Sequence, residues 1–514
     1  MSSAEQQSPS EKPSGNRNKP IWPKIPAGFV RAMLAGHSAL GLAFAALIYV
    51  VCFSGAVAVF TEEFRQWENP SAPRVEAVSD DVMDKAFGAI IDKAPWAHGV
   101  FVFLPTADEK ALRVTASPDF GDTEHKTLNY YADAEGNLRQ EGSYAWTEFQ
   151  AILHTRLHMP GMWGGFIVGL TGVALLSSLV SGILSHPRVF KDAFTLRFGP
   201  NKRLQEADIH NRISVWGLPF HVIVSLTGAF LGLTTIIVGV LALAVFKGDA
   251  NQAYALFMGP HPVDDPRPAP RPQLQGMLVD LANRDPKAVP TYIMAEHPLE
   301  TGAAVAINAQ TPTHLSRGEM YVYDGKGAYL GNWGWEQGTL GQKIYAAMAP
   351  LHFGWFGGWS VKIIYAVLGM GLAAVTSSGV AIWLARRRDK GRPAPAWERL
   401  WTATVWSQPV AYTVVAISAL VTRQETWLLP LWGGISLLSL IVSIFVDAKK
   451  LSLALRALSV VGLVAVAVVH AALALASGTP VGILLWAIDG ACVLMAMALG
   501  LSLFWRRGAA PESK

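Results

Sequence analysis

The chain has 514 residues, of which 51% are hydrophobic and 16% charged, and its formal net charge is +4. Soluble domains carry about 25% charged residues, so composition excludes a soluble enzyme of this length; the net charge itself says little about partners, because topology sets the basic residues, and no nucleic-acid partner is expected. The two cysteines, Cys52 and Cys492, fall inside apolar runs and read as packed core residues; no CxxC or CxxCH occurs, which argues against iron–sulfur clusters and covalently attached haem.

A helix needs about 20 apolar residues to cross a bilayer core. About eight runs qualify, near Met33–Val59, Trp163–Leu184, Ile213–Val245, Val361–Leu384, Ala403–Val421, Trp427–Val446, Leu453–Ala476 and Val481–Phe504. The expected fold class is therefore a polytopic α-helical membrane protein of about eight transmembrane helices, carrying two extramembrane α+β domains. Residues 1–28, rich in Ser, Pro, Lys and Asn, read as a disordered cytoplasmic tail. The first apolar run (29–60) lacks a convincing cleavage site and is expected to stay as the first span.

The segment 61–153 reads as an α+β unit. Asp80–Ala94 has helical spacing, alternating runs follow at Gly99–Leu104, Ala111–Ala116 and Thr127–Ala132, and a turn at Glu135–Gly136 precedes Leu138–Arg139. Residues 154–246 hold the second span, a cytoplasmic loop and the third span. The segment 247–351 repeats the first plan, with a helix at Leu274–Ala282 and strands at Thr291–Glu296, Ala303–Asn308 and Met320–Tyr323. The segments Tyr130–Gly136 and Tyr321–Gly327 are alike and occupy matching places, which favours duplication over merely shared turn chemistry. The fourth span occupies 352–390. Residues 391–514 form a module whose four apolar helices contain one histidine, His470, and almost no charge. It reads as a scaffold or docking module.

Basic residues orient the chain. Lys24 and Arg31 precede the first span; Arg188, Lys191, Arg197, Lys202 and Arg203 separate the second and third. Arg386–Arg388, Lys449 and Lys450, and Arg506 and Arg507 follow the fourth, sixth and eighth. These connections and both termini are expected in the cytoplasm, with the two large loops on the opposite side.

Histidine is costly at membrane depth and calls for a partner. His37 stands eighteen residues before Gly55, His210 before Gly228 and His154 before Gly172, while His352 stands seventeen before Gly369. Eighteen residues correspond to roughly 27 Å of helix. Topology then puts His37 with His210 near the cytoplasmic face and His154 with His352 near the other. Two haems are the leading candidate occupants. Bis-imidazole ligation places a neutral histidine on each side of a flat macrocycle, and Gly36, Gly41, Gly161, Gly164, Gly165, Gly217, Gly354, Gly357 and Gly358 leave room for one. Tetrahedral zinc would want further Cys or carboxylate ligands, and none is near in sequence. Glycine also serves plain helix packing, so composition alone leaves both readings open.

Other histidines compete. His158 follows His154 by four residues and would share its helical face if the helix extends that far; it could replace His154 or bind a second metal. His221 lies a third of the way into the third span and His186 ends the second. Each also reads as a hydrogen-bonded polar residue of the bundle. His98, His125, His261, His297 and His314 are solvated loop residues. Among the eighteen tryptophans, Trp163, Trp216, Trp333, Trp335, Trp355 and Trp359 suit an interfacial belt. Trp355 and Trp359 also flank the His352 site, where haem stacking or electron transfer is an alternative.

Several stretches together resemble a known family. They are His37-x-x-x-Gly41-Leu42; Leu153-His154-x-x-Leu157 with Ile167-Val168-Gly169-Leu170; and Ser181-Gly182 with Pro187-Arg188. They continue as Asp208-Ile209-His210-Asn211 with Trp216-Gly217-Leu218-Pro219, Leu226-Thr227-Gly228, Leu351-His352-x-Gly354, Ser378-Gly379 and Arg386–Arg388. Over about residues 30–390 the chain resembles the PepSY-associated transmembrane family, often described as iron-regulated membrane proteins. The resemblance implies periplasmic PepSY-like domains in both loops and a bacterial inner-membrane location. It also implies two b-type haems, as in ferric-siderophore reductases, with His37, His154, His210 and His352 as ligands. His158 and His221 stand where members commonly show apolar residues.

The chain departs from the pattern in its four extra helices, and no strand–GxGxxG–helix unit supplies a flavodoxin or nicotinamide-binding domain, so the electron donor is expected to be a separate cytoplasmic or membrane partner. The expected function is electron transfer from the cytoplasmic side to a periplasmic ferric, siderophore-bound substrate, the work of a reductase-like oxidoreductase. The alternatives are an iron or siderophore permease, or a PepSY binding module without redox activity. Against a permease, the first four spans hold no carboxylate for a coupling ion; Asp489 in the last helix is the exception.

Overall fold

The computed structural model describes residues 26–106, 109–119, 122, 124–186, 189–194, 202–257, 259, 262–310, 318–478 and 482–505. Most of the expected N-terminal tail, His261, His314, Arg188, Arg197, Arg506 and Arg507 lie outside these residues.

Helices α1 (Ala27–Ala43) and α2 (Ala45–Ala58) form the first span, bent by 68° at Phe44. A short α3 (Thr61–Trp67) leads to α4 (Asp80–Lys93) and to strands β1 (Gly99–Phe103), β2 (Leu112–Ser117), β3 (Leu128–Ala132) and β4 (Leu138–Glu141). The chain returns through α5 (Ala145–Arg156) into α6 (Trp163–Ser185), then passes through α7 (Val189–Asp192), α8 (Lys202–Trp216) and α9 (Leu218–Val245). After α10 (Ala250–Tyr254) and α11 (Leu274–Arg284) come β5 (Val289–Glu296), β6 (Ala304–Gln310), β7 (Glu319–Asp324) and β8 (Tyr329–Trp333). These precede α12 (Leu340–Phe353) and α13 (Gly358–Asp389). The C-terminal module is α14 (Pro395–Thr422), α15 (Leu428–Phe445), α16 (Ala448–Ala476) and α17 (Ile483–Trp505). Among the described residues seven helices are singly long and apolar enough to cross a membrane, and the bent α1–α2 pair passes the same test only when taken together, which would make eight.

The spans are less regular than their hydropathy. The histidine-bearing helices α1, α5, α8 and α12 are each separate from the long helix that follows. Gly217 interrupts α8 and α9 just ahead of Pro219, which has no N–H to continue the ladder. Leu157 (φ 52°) and Gly354 (φ 73°) end α5 and α12 in the left-handed conformation. The expected 27 Å of straight helix between each histidine and its spaced glycine is therefore not what separates them.

The two large loops, expected as two domains, share one sheet. Its order is β4-β3-β2-β1-β5-β6-β7-β8, antiparallel throughout. The seam pairs Val100 with Ala295 and Val102 with Ile293. Left apart, β1 and β5 would each expose an unpaired row of backbone N–H and C=O groups. The pairing also aligns their apolar alternation: Val100, Val102, Ile293 and Ala295 are fully buried on one face. Phe87 and Ile90 of α4 and Leu274, Met277 and Leu281 of α11 cover that face, making one core of the two halves. Each large side chain so buried contributes about 1.5–3 kcal/mol.

The duplication reaches the turns. Asp133 accepts from the backbone N–H of Glu135 and Asn137, and Asp324 does the same for Lys326 and Ala328. Gly136 and Gly327 take φ values of 77° and 87°, which a side chain would oppose. Strand β8 and the histidine-bearing part of α5 were not legible as elements in the sequence, because neither stretch has a clean apolar period.

Two buried histidine pairs

The helices that carry the sheet-side histidines are held at both ends. Glu68 accepts the backbone N–H of Trp146 at 2.6 Å and of Thr147 at 2.9 Å, and the Thr147 hydroxyl at 2.6 Å. These bonds place a carboxyl at the positive end of α5. Thr339 and Gln342 form a reciprocal capping box at the start of α12. The left-handed residues that follow His154 and His352 leave each histidine in the last turn of its helix.

The structure brings the four expected histidines together in the two expected pairs. The His154 and His352 ring centroids lie 6.0 Å apart with planes 22° from parallel. His37 and His210 lie 6.4 Å apart with planes at 79°. In every ring Nδ1 is engaged by a neighbouring helix. His37 donates to the Ser178 carbonyl at 2.9 Å, His154 to the Val51 carbonyl at 3.0 Å and His210 to the Val375 carbonyl at 3.0 Å. A carbonyl only accepts, so Nδ1 carries the hydrogen in these three. His352 Nδ1 meets the Thr227 hydroxyl at 2.9 Å, and that hydroxyl already donates to the Ile223 carbonyl at 2.6 Å. Nδ1–H of His352 is thus the donor as well. All four tautomers leave Nε2 with a free lone pair, as ligating histidines require.

Each ring lies over a glycine of another helix. A Cβ at Gly55 would stand 2.6 Å from His154 Cε1, and one at Gly228 2.9 Å from His352 Cε1. At Gly182 it would stand 3.2 Å from His37 Cε1, and at Gly379 3.4 Å from His210 Cε1. Each of these glycines follows a hydroxyl residue: Ser54, Thr227, Ser181 and Ser378. A Ser/Thr–Gly pair thus lies beneath each ring, in α2, α6, α9 and α13, and the spacing argument found only two of the four glycines; α6 carries a second such pair, Thr171–Gly172, that receives no histidine. Gly172 and Gly369, chosen by spacing, instead let backbones approach: a Cβ would meet Ala229 N at 2.9 Å and Ala56 Cβ at 3.2 Å.

A cavity of about 600 Å³ opens between His154 and His352, within the range of cofactor pockets. Gly55, Gly165, Gly228 and Gly369 line its walls, Cys52 contributes a free thiol, and Arg156 supplies a cation. The fit to an iron macrocycle can be tested by distance. With a metal–imidazole bond of about 2 Å on each side and about 1 Å from nitrogen to ring centre, two axial imidazoles place their centroids roughly 6 Å apart. Both pairs meet that spacing. Among the described residues no three His, Cys, Asp or Glu side chains converge, so the donors come in twos, as a flat macrocycle with two axial positions demands.

The competing histidines stand elsewhere. Because α5 ends at Arg156, His158 does not continue its face; it takes φ 52°, stacks on Phe149 at 4.8 Å and bonds the Phe149 carbonyl at 2.9 Å. His221 is fully buried in α9 against Gly217, two turns from Gly228 and in neither pair. His186 is the C-cap of α6, beyond Gly182. Trp355 stacks on Phe353 and Trp359 on Phe60; neither lines the cavity. His98 and His297 meet across the β1–β5 seam with centroids 4.2 Å apart, and His125 stacks on Trp96. A pair that sequence logic could not build joins His470 of α16 to Asp489 of α17 at 2.7 Å.

Together the apolar spans, the bridging sheet and two facing histidine pairs define a multi-pass membrane protein with two candidate bis-imidazole sites. The chain belongs to the PepSY-associated TM region family, whose profile matches residues 34–386; α14–α17 lie beyond the match. It is also similar to an uncharacterized protein of Pseudomonas aeruginosa, 30% identical over 248 residues, which are 46% of this chain and 62% of that protein. The chain thus spans less than two thirds of that relative's length.

Proposed function

We propose that the chain is a two-haem electron conduit of the bacterial inner membrane that reduces a ferric, siderophore-bound substrate on the periplasmic side. The observation that carries this reading is the set of four Nδ1 hydrogen bonds, which leave Nε2 of His154 and His352, and of His37 and His210, free to serve as axial ligands. A b-type haem held between two imidazoles supplies one-electron transfer without an open position for oxygen chemistry. His154 and His352 would hold the sheet-side group, and His37 and His210 the other. The glycines beneath the rings set the depth at which the imidazoles stand, the apolar walls exclude water, and Arg156 offers a counter-charge to a macrocycle carboxylate.

The direction of transfer rests on the basic residues after alternate spans, which support cytoplasmic termini and a periplasmic sheet. Electrons would enter near His37 and His210 from a separate cytoplasmic or membrane donor and leave near His154 and His352, beside the sheet.

The test is an absorption spectrum of the purified protein with haem counted per chain. Two haems with a dithionite-reducible b-type spectrum are expected, and His352→Ala should leave about one. A protein purified after haem-replete expression that shows no such spectrum would sink the reading.

A further inference from the structure

Helices α16 and α17 each bring one polar group about two turns below their sheet-side ends. His470 is fully buried and Asp489 nearly so. Asp489 Oδ2 lies 2.7 Å from His470 Nδ1, and Asp489 Oδ1 accepts from Trp67 Nε1 at 3.0 Å. Trp67 also stacks on the His470 ring, with centroids 4.7 Å apart and planes at 24°, and Trp486 closes another side edge-on. His470 Nε2 is buried without a hydrogen-bond partner among the described residues. Ionisable groups are kept at such depth for a use or not at all, and this nitrogen is one that internal packing does not satisfy.

The pair is also wired to the cavity. Residue 68 follows Trp67 directly, and the Glu68 carboxyl caps α5, the helix that ends in His154. On the same helix as Trp67, Glu62 and Glu63 engage Lys362 of α13. Helix α3 therefore ties the C-terminal module to both walls of the sheet-side site. We propose that His470 and Asp489 form a buried proton-binding site whose occupancy is linked to the redox state of the group that the sheet-side histidine pair would hold; this rests on the haem reading above. Uptake of one electron from the donor by the ferric group that His154 and His352 would hold, taking it to the ferrous state, would be matched by one proton from the sheet-side aqueous phase adding to the lone pair of His470 Nε2. The dyad passes from a lone carboxylate charge to a neutral ion pair, which offsets the added negative charge in a low-dielectric interior. Linkage is reciprocal, so a proton on the dyad would make the group held by the sheet-side pair easier to reduce.

Other titratable groups on the elements packed against the dyad are Cys492 on α17, Lys449, Lys450 and Arg456 on α16, and Glu398, Arg399 and Tyr412 on α14 with Arg423 at its C-cap; α3 adds Glu62, Glu63 and Arg65 with Glu68 at its C-cap, and Arg74 lies beside Gly482. Glu62 and Glu63 are held by Lys362, Arg65 pairs with Glu148, and Arg423 bonds Asn69 and the Glu141 carbonyl.

The test is a redox titration of the full chain in detergent, following the signal that His352→Ala removes, from mildly acidic to mildly alkaline pH. The midpoint potential of the unsubstituted protein should fall as pH rises, and His470→Gln and Asp489→Asn should each flatten that slope with haem content unchanged. Should either fail to fold, Trp67→Phe keeps the stack and deletes the N–H to Asp489, and must move the slope to higher pH. A pH-independent potential in the unsubstituted protein, or one profile shared by all variants, overturns the proposal while leaving the haem reading intact. Absence of any haem signal overturns both.

Discussion

The His154 and His352 rings lie across the cavity from one another with planes only 22° from parallel, although 198 positions separate them in the chain. Parallel axial imidazoles act on the same iron d orbital and split the d pair, whereas perpendicular ones act on both and leave the pair nearly degenerate. Were the proposed haems held by these pairs, the His37 and His210 planes, at 79°, would belong to the second kind. Electron paramagnetic resonance of the oxidised protein should therefore show a rhombic low-spin signal that His352→Ala removes. A strongly anisotropic signal with one large g value should disappear in His37→Ala. The opposite assignment would show that the ring planes are not those described.

The glycines beneath the rings should rank by distance. A carbon at 2.6 Å lies far inside a normal contact of about 3.5–4.0 Å, and the Nδ1 bonds hold the rings in place. Haem retention should fall most for Gly55→Ala, next for Gly228→Ala, less for Gly182→Ala and least for Gly379→Ala. Equal losses at Gly55 and Gly379, measured as haem per chain, would refute the steric account.

Glu68 carries a pH dependence outside the spans. Burial pushes its carboxyl up to about 7, against the pull of its bonds from Thr147 and Trp146. A raised carboxyl holds its proton more tightly folded than unfolded, so its contribution is full below the unfolded value near 4.5 and declines as pH rises through 7. At about 1.4 kcal/mol per pKa unit the decline amounts to about 3 kcal/mol. Thermal unfolding of Glu68→Gln should lose that part of the pH dependence, and an unchanged difference between acidic and alkaline pH would contradict it.

The buried contact between Lys362 and Glu63, 2.5 Å long, joins α13 to α3. Lys362 is 7% exposed and Glu63 3%. Lys362→Met leaves an unpaired buried carboxylate and should cost about 3–5 kcal/mol, whereas Lys362→Met with Glu63→Leu should recover most of the loss. Denaturant unfolding of the single and double variants gives the comparison; additive losses would mean that the pair is not coupled.

Much of the site was legible in one dimension. Runs of about 20 apolar residues reveal spans because lipid leaves the backbone no other hydrogen-bonding partner. Alternation at Val100 and Val102, or at Ile293 and Ala295, reveals strands because side chains point to opposite faces. Counting spans from the histidines was enough to sort His37 with His210 and His154 with His352, since depth in a bilayer is nearly a coordinate of the sequence. What only the tertiary structure decided depends on contacts between distant segments. Pattern within one run cannot say that β1 will seal against β5, that Gly55 will receive His154 rather than serve its own helix, or that α5 will stop at Arg156 and retire His158. Nor can it say that Trp67 will close over His470 and Asp489, because the partners lie 422 positions apart and their meeting is set by packing, not by period.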